Sequence, residues 1–356
     1  MGTIYKKATL VIAAAGANDS TEGLFITEGA STTRMQLPYL PNGVPHGYFN
    51  MSPVQRPYEP LLLDKSPLRQ RAWAFQEWYL ARRIVFFMPQ TVQWKCITEE
   101  WQEEVCKIYP WSLHDDRYSW YTLIEEYSSR KFTFESDRLI ALEGFIQDRA
   151  NTTKQGDRCM FGTWENEIVR GLIWRFPSME YGVSHGSATT FASWCWAAPG
   201  CEIRFWFGGV DDPCYLLPES IKMTESGTLD VRGTLLENLY RRRDFCFCCD
   251  VDHWGDDPTD SARCLIRDHT ARRADNRLGI ALFDRPVEDF TCFLLAKDKD
   301  AGPGNEEENY EIGYYVLLLE PIPDTLKQFK RVGIAMLFLS AGPLFANQKQ
   351  KDFQIL

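Results

Sequence analysis

The chain has 356 residues, of which 44% are hydrophobic and 14% aromatic, and its formal net charge is −10. Because a single core stops growing at roughly 250–300 residues, this length predicts more than one core. The acidic balance and the lack of a basic stripe exclude non-specific nucleic-acid binding, and the longest apolar runs (8–17 and 332–339) fall short of the ~20 residues of a membrane-spanning helix.

The first sixty residues predict a helix, a strand and then an irregular segment. Residues 1–7 read as a short helix that leads into the small-residue run TLVIAAAGA at 9–17. This run indicates a buried strand better than it indicates a signal peptide. Residues 30–60 are rich in Pro, Gly and Asn, which predicts a loop or a meander around short strands.

A longer helix is predicted to begin at Ser66, because serine followed by proline is typical of an N-cap and a first helical turn. Apolar residues at 72, 75, 79 and 80 have helical spacing. This one helix would carry Arg71, Trp73, Gln76 and Glu77. Strands are predicted after it at 84–87 and around Trp94.

Helices are also predicted at 120–127, 138–150 and 161–176, the last from apolar residues at 161, 164, 168, 172 and 176 that would share one face. Beyond residue 178 the pattern becomes alternating. It predicts strands at 192–196, 202–207, 228–234, 245–251, 278–283, 290–295, 312–319 and 332–338. A soft domain boundary near 178–190 would therefore separate residues 1–180 from a β-rich region at 181–356.

Five blocks, in chain order, resemble the fungal heterokaryon-incompatibility (HET) domain family. They are GTIYKKATLVIAAAGANDSTEGLF at 2–25, RAWAFQE at 71–77, FTFESDRLIAL at 132–142, WENEIVRGLIWR at 164–175 and SWCWA at 193–197. Cys195 stands where the family has the central serine of a Ser-Trp-Ser-Trp block. Met1 falls where the middle of the domain is expected, so the resemblance implies a member that lacks the N-terminal part of the domain.

The resemblance implies an α+β fold, with a partial TIR-like α/β HET region followed by a β-rich C-terminal region. Some TIR-like folds cleave NAD with a glutamate. The half of the domain that would hold the nucleotide is mostly missing here, and we therefore predict no cofactor.

Arg71, Trp73, Gln76 and Glu77 form the main candidate cluster. On a helix, Trp73, Gln76 and Glu77 share a face at i, i+3 and i+4. One interpretation is a structural clamp, in which a buried Arg71–Glu77 pair lies against an indole. The other is a ligand site in which Glu77 is a weak catalytic candidate as acid or base.

Aromatic residues alternate along the two predicted strands at 192–196 and 202–207. They predict either a two-layer core or an apolar small-molecule pocket, because such pockets are lined by aromatic side chains with a few polar groups. In the second case Trp194 and Trp196 would line the pocket together with the cluster around Glu77.

Two further constellations are weak. The cysteines and histidines at 246, 248, 249, 253, 264 and 269 lack the two clean C-x₂-C pairs of a zinc knuckle, and we predict core cysteines and no metal there. A nucleophile at Cys195 or Cys201, with His185 as base and Asp211 or Asp212 as orienter, is not selected by any spacing. Eleven cysteines, mostly inside apolar runs, fit a reducing cytosol.

The resemblance implies a cytoplasmic protein of fungal non-self recognition and cell-death signalling. Its partner would be another protein of the incompatibility system or its own kind, and no nucleic-acid or membrane partner is predicted. The alternative is a repurposed HET-like enzyme of a fungal secondary-metabolite cluster that acts on an apolar small molecule by cyclisation-type chemistry. Whether the chain is an enzyme stays open at this point.

Overall fold

The computed structural model describes residues 2–24, 35–51, 66–88, 91–96, 98–102, 105–108, 120–152, 156–177, 191–206, 214–237, 239–242, 263–268, 277–285, 287, 289–298, 312–346 and 348–356. They belong to two compact units. Unit 1 comprises Met1–Asp115 with Arg130–Phe132, and unit 2 comprises Asp116–Ser129 with Thr133–Leu356. The fold is α+β with a β-rich C-terminal region, as predicted.

Unit 1 has short helices and a small mixed sheet. Its elements are α1 (Gly2–Lys7), β1 (Val11–Ala13), β2 (Met35–Tyr39), β3 (Gly47–Met51), α2 (Pro67–Gln70), α3 (Ala74–Leu80), β4 (Arg83–Phe87), β5 (Val92–Cys96), β6 (Glu100–Gln102) and β7 (Val105–Ile108). The sheet has the order β1-β4-β5-β6-β7, and β1 is its parallel edge strand. Strands β2 and β3 form a separate antiparallel hairpin.

The helix predicted to begin at Ser66 is two helices. The predicted cap is confirmed, because Ser66 Oγ accepts a hydrogen bond from the Arg69 amide at 3.1 Å. The chain then becomes extended at Arg71, and the backbone on either side of it bonds to Lys131: the Lys131 amide donates to Gln70 O at 2.6 Å, and the Ala72 amide donates to Lys131 O at 3.1 Å. Since Lys131 takes these backbone groups, the helix stops and restarts at Ala74.

Unit 2 contains the larger sheet. Its helices are α4 (Trp120–Ser128), α5 (Asp137–Ile140), α6 (Glu143–Thr152), α7 (Ile168–Leu172) and α8 (Gly342–Ala346). Its strands are β8 (Cys159–Met160), β9 (Thr163–Trp164), β10 (Trp174–Arg175), β11 (Arg204–Phe205), β12 (Cys214–Leu216), β13 (Ser220–Met223), β14 (Leu229–Leu236), β15 (Leu239–Arg242), β16 (Arg263–Asp268), β17 (Arg277–Phe283), β18 (Thr291–Asp298), β19 (Ile312–Pro321), β20 (Gln328–Phe338) and β21 (Gln350–Ile355).

Strands β12 to β21 make one ten-stranded sheet, and five of them close on themselves. The ring runs β14-β21-β20-β19-β18 and returns to β14. Closure removes sheet edges, and a hydrophobic core of this sheet includes Leu294, Val316, Leu318, Val332 and Leu337. The predicted strands at 228–234, 278–283, 290–295, 312–319 and 332–338 are confirmed.

Two further predicted elements are wrong. Residues 192–196 form consecutive turns and not a strand. Residues 161–176 are not one helix, because Phe161 and Gly162 adopt left-handed conformations (φ 53° and 73°) that turn the chain between β8 and β9. The apolar residues of this stretch therefore reach the interior from short strands and the short helix α7.

The two units divide the chain before the domain boundary predicted between residues 180 and 181. Helix α4 belongs to unit 2 because its side chains bond to that unit: Trp120 Nε1 donates to Gly162 O at 2.9 Å, and Tyr121 Oη donates to Glu167 O at 2.7 Å. The predicted boundary region, 178–190, lies outside the described residues. Of the helices that the structure describes, none has the length and apolar character needed to cross a bilayer.

Candidate functional site

Glu77 and Tyr5 form a hydrogen-bonded pair where α1 packs against α3. Every other residue of α3 is buried, and Glu77 alone is only half-buried. Burial raises the pKa of Tyr5 above its ordinary value of 10, and the hydrogen bond to the Glu77 carboxylate and its charge raise it further. The pair is thus a neutral phenol donating to a carboxylate at the surface of unit 1.

The other predicted cluster residues lie on different sides of this region. Gln76 is 4% exposed and belongs to the interior of unit 1, whereas Trp73 is 37% exposed at the start of α3. Arg71 is exposed at the break between the two helices. The break therefore separates Arg71 from α3, the helix that carries Gln76 and Glu77.

The buried cation of this region is Arg130, which the sequence reasoning missed. Its guanidinium carbon lies 4.5 Å from the ring centroid of Phe75 and 5.1 Å from that of Trp78. Cation–π contacts of this kind are strongest when they are desolvated, and Arg130 is buried. The predicted clamp thus differs in its cation: Arg130, and not Arg71, lies against the aromatic side chains of α3.

Trp194 and Trp196 lie in the interior of unit 2, with 0% and 1% exposure. Trp194 Nε1 donates to Gly227 O at 2.7 Å, and Trp196 Nε1 donates at 3.2 Å to Gly162 O, the same oxygen that accepts from Trp120. A buried indole N–H needs such a partner. Both rings therefore hold backbone turns in place, and a ligand could contact them only if this packing opened.

A buried ion pair lies beside the same segment. The Arg331 guanidinium bonds to the Asp284 carboxylate and to Trp174 O, and it stacks 3.2 Å from the Trp174 ring centroid. Burial raises the pKa of Asp284 and lowers that of Arg331 to about 10, so the guanidinium stays charged at neutral pH. The Arg331 amide also donates to Ser193 Oγ at 2.9 Å, and Ser193 Oγ in turn donates to Leu356 O.

Cys195 has the properties of a structural thiol. It donates to Phe161 O at 3.4 Å, and burial raises its pKa to about 12, so that the thiolate nucleophile is scarce at neutral pH. Burial also raises the pKa of Cys201 to about 12. The candidate partners at 185, 211 and 212 lie outside the described residues, as do 246–253 and 269 of the weak metal cluster, and within the described part no group of three or more His, Cys, Asp and Glu side chains could hold a metal ion.

The first unit also exposes apolar side chains on α1, beside and within the edge strand β1, and along the hairpin. They are Ile4, Leu10, Ile12, Leu37, Tyr39, Leu40, Val44, Tyr48 and Phe49. Within the described strands β1 pairs only with β4, and an unpaired strand edge next to exposed apolar residues is suited to adding a strand from another protein. Ile4, one of these exposed residues, is the chain neighbour of Tyr5.

Replacing Glu77 by alanine is expected to lower the pKa of Tyr5 toward its ordinary value, because the acceptor and its negative charge are both removed. The raised pKa favours folding below pH ~10, and this contribution is lost as the pH rises through the pKa of the folded state. NMR titration of tyrosines labelled at Cζ, with Tyr5→Phe to assign the signal, measures the change. Tyr121 of unit 2, whose pKa burial raises, is the internal control and should not move; an unchanged Tyr5 titration would contradict the pairing.

Comparison with known proteins gives one family. Residues 1–77 match the model of the family described as heterokaryon incompatibility protein (HET). The match begins at α1 and ends on Glu77, so the two partners of the Tyr5–Glu77 pair lie near its two ends. No curated protein and no solved structure matches the chain.

Proposed function

We propose that the protein acts in fungal non-self recognition through protein interactions, because residues 1–77 match the model of the heterokaryon incompatibility (HET) family. In this role it would engage another protein of an incompatibility system, or a second copy of itself, in the cytoplasm. That engagement would trigger cell death.

The observation that carries the proposal is where the exposed apolar side chains lie. Among the described residues fourteen large hydrophobic side chains are exposed, and ten of them fall within residues 1–77. Single exposed apolar residues are normal on soluble proteins, but their concentration in one segment is typical of an interaction surface. The four others, Phe134, Ile140, Leu216 and Leu326, are spread over unit 2.

The arrangement of unit 2 supports a scaffold role for that unit. Trp194 and Trp196 donate to backbone carbonyls, and burial keeps Cys195 and Cys201 as neutral thiols, so these groups serve the packing of the unit. A signalling protein that works by contact needs a folded platform and an accessible surface, and it needs no bound substrate. Glu77 would then act by fixing α1 on α3, next to the exposed residues Ile4 and Trp73.

Inducible expression of the full chain in a filamentous fungus tests the proposal. We expect growth arrest and uptake of a viability dye with the wild type, and loss of both with Ile12→Lys, which places a charge on the edge strand β1. Ile12 is exposed, so the substitution should change the stability by no more than about 0.5 kcal/mol.

Leu326→Lys is the matched control, since this side chain is fully exposed and lies outside the matched segment. It should arrest growth as the wild type does. Normal growth with the wild type, or equal effects of the two lysine variants, would contradict the proposal. Normal growth accompanied by a new metabolite would instead favour the enzyme alternative.

A further inference from the structure

One face of the hairpin β2–β3 carries large apolar side chains that are exposed. Leu37 stands opposite Phe49, and the rings of Tyr39 and Phe49 meet edge to face with centroids 5.1 Å apart. These three residues share one face by strand alternation, and Phe49 is 57% exposed. A two-stranded hairpin is at best marginally stable in water and needs a third strand or a packed layer.

The hairpin also differs from the rest of the chain in charge. A quarter of all residues are charged, yet the seventeen residues 35–51 contain no Asp, Glu, Lys or Arg. Interface cores are depleted in charged residues and enriched in aromatic ones. Two copies with a net charge of −10 each repel one another, and an uncharged ribbon is where such copies can approach with the least electrostatic cost.

The two edges of the hairpin are not equivalent. Strand β2 contains Pro38, which has no N–H to donate, and proline is typical of a protected edge. Strand β3 has neither a proline nor a charge, so every residue from Gly47 to Met51 keeps its amide donor. Among the described strands β2 and β3 pair only with each other. A further strand is therefore expected to add to β3.

We propose that β3 pairs antiparallel with β3 of a second copy of this chain, in a register centred on Phe49. In that register Phe49 stands opposite Phe49 of the second copy, and Tyr48 stands opposite Asn50. The two hairpins become one four-stranded sheet across a two-fold axis, with both aromatic faces on the same side. When two copies of the same strand pair antiparallel, each copy makes the same contacts with the other, as a two-fold interface requires.

The size of the patch sets the strength of this contact. Half-exposed aromatic side chains offer about 100 Å² each, so a few of them per copy keep the interface below the ~1,200 Å² of standard complexes. We therefore expect a weak dimer, which forms in the micromolar range and would respond to local concentration. The inference rests on the proposed function only in treating residues 1–77 as an interaction surface.

Sedimentation velocity of the purified full chain over the micromolar range tests the pairing. The wild type should dimerise with increasing concentration, and Phe49→Lys should weaken dimerisation about tenfold or more, because an aromatic anchor is lost and two lysines face each other. Val44→Lys, an equally exposed apolar position outside β3, should dimerise like the wild type.

A charge-swap experiment tests the register independently of folding. Phe49→Lys and Phe49→Glu should each be monomeric, and an equimolar mixture should form heterodimers, because residue 49 faces residue 49. A monomeric wild type, equal effects at positions 44 and 49, or no recovery in the mixture would overturn the proposal. A wild type that arrests growth but stays monomeric would overturn the pairing alone, whereas a wild type that dimerises without growth arrest would overturn only the proposed function.

Discussion

Replacing Arg331 by alanine is expected to lower the free energy of unfolding of unit 2 by about 3–5 kcal/mol, the usual cost of leaving a buried charge without its partner. The Arg331 side chain is fully buried, and it bonds to Asp284 and to Trp174 O. The variant loses both contacts and the stacking on Trp174, and it leaves the Asp284 carboxylate, which is 17% exposed, without its bonded partner and with only the charge of Arg285 near it. Urea unfolding followed by circular dichroism measures the loss.

The pH dependence identifies the cause. Burial already raises the pKa of Asp284 in the wild type, so in the variant this carboxyl should take up a proton more readily. The deficit in stability should therefore narrow as the pH falls toward the ordinary range of a carboxyl, about 4. Arg232→Ala removes ion pairs to Glu219 and Asp352 that solvent screens, and it should cause a much smaller loss. Equal losses for the two arginines would contradict the role of Arg331.

Replacing Gly279 by alanine is expected to destabilise unit 2 by about 3 kcal/mol or more, because the two closest atoms that the added methyl group meets belong to backbone, which cannot rotate away as a side chain can. Gly279 stands opposite Leu337 in the β17–β20 pair. An added Cβ would overlap the carbonyl oxygen of Met336 and lie 2.7 Å from Leu337 Cα. The two strands could accommodate it only by separating.

Gly156→Ala is the control for this substitution. Its φ is 106°, and nothing lies within 4 Å of the added carbon, so the change carries backbone strain without a clash. It should cost about 1–2 kcal/mol. Hydrogen exchange of the β17 and β20 amides locates the damage: we expect faster exchange there for Gly279→Ala and little change for Gly156→Ala. Unchanged exchange in Gly279→Ala would show that the strands relax without separating.

The elements that were predicted correctly are those determined by interactions between residues close in sequence. The N-cap at Ser66 and the long strands β17 to β20 were foreseen because a cap or an alternating run identifies itself within a few residues. The sequence motifs at 2–25 and 71–77 predicted a resemblance to the HET family, and residues 1–77 match the model of that family. The TIR-like detail of the fold stays a prediction.

Contacts between distant residues decided the rest. The break at Arg71 depends on Lys131, sixty residues later, and the turns at 192–196 depend on bonds from Ser193 to Leu356 and from Arg331 to Ser193. The two partners of each contact lie too far apart in the sequence for a local pattern to include both. Arg331 did leave a signal, since it alternates with Phe329 across the exposed Lys330 and so falls on a buried position of β20. Arg130 left none, because its aromatic partners belong to a helix more than fifty residues earlier.

Residues 130–132 belong to unit 1. The segment that matches the family model, residues 1–77, is therefore shorter than the part of the chain that forms this folded unit. A protein cut after residue 77 would end inside α3, and it would lack Arg130 for Phe75, Lys131 for the break between the helices and β4 for β1. Expressing the matched residues alone would therefore test an incomplete core. Any comparison among members of the family by domain transplantation should carry the chain through residue 132.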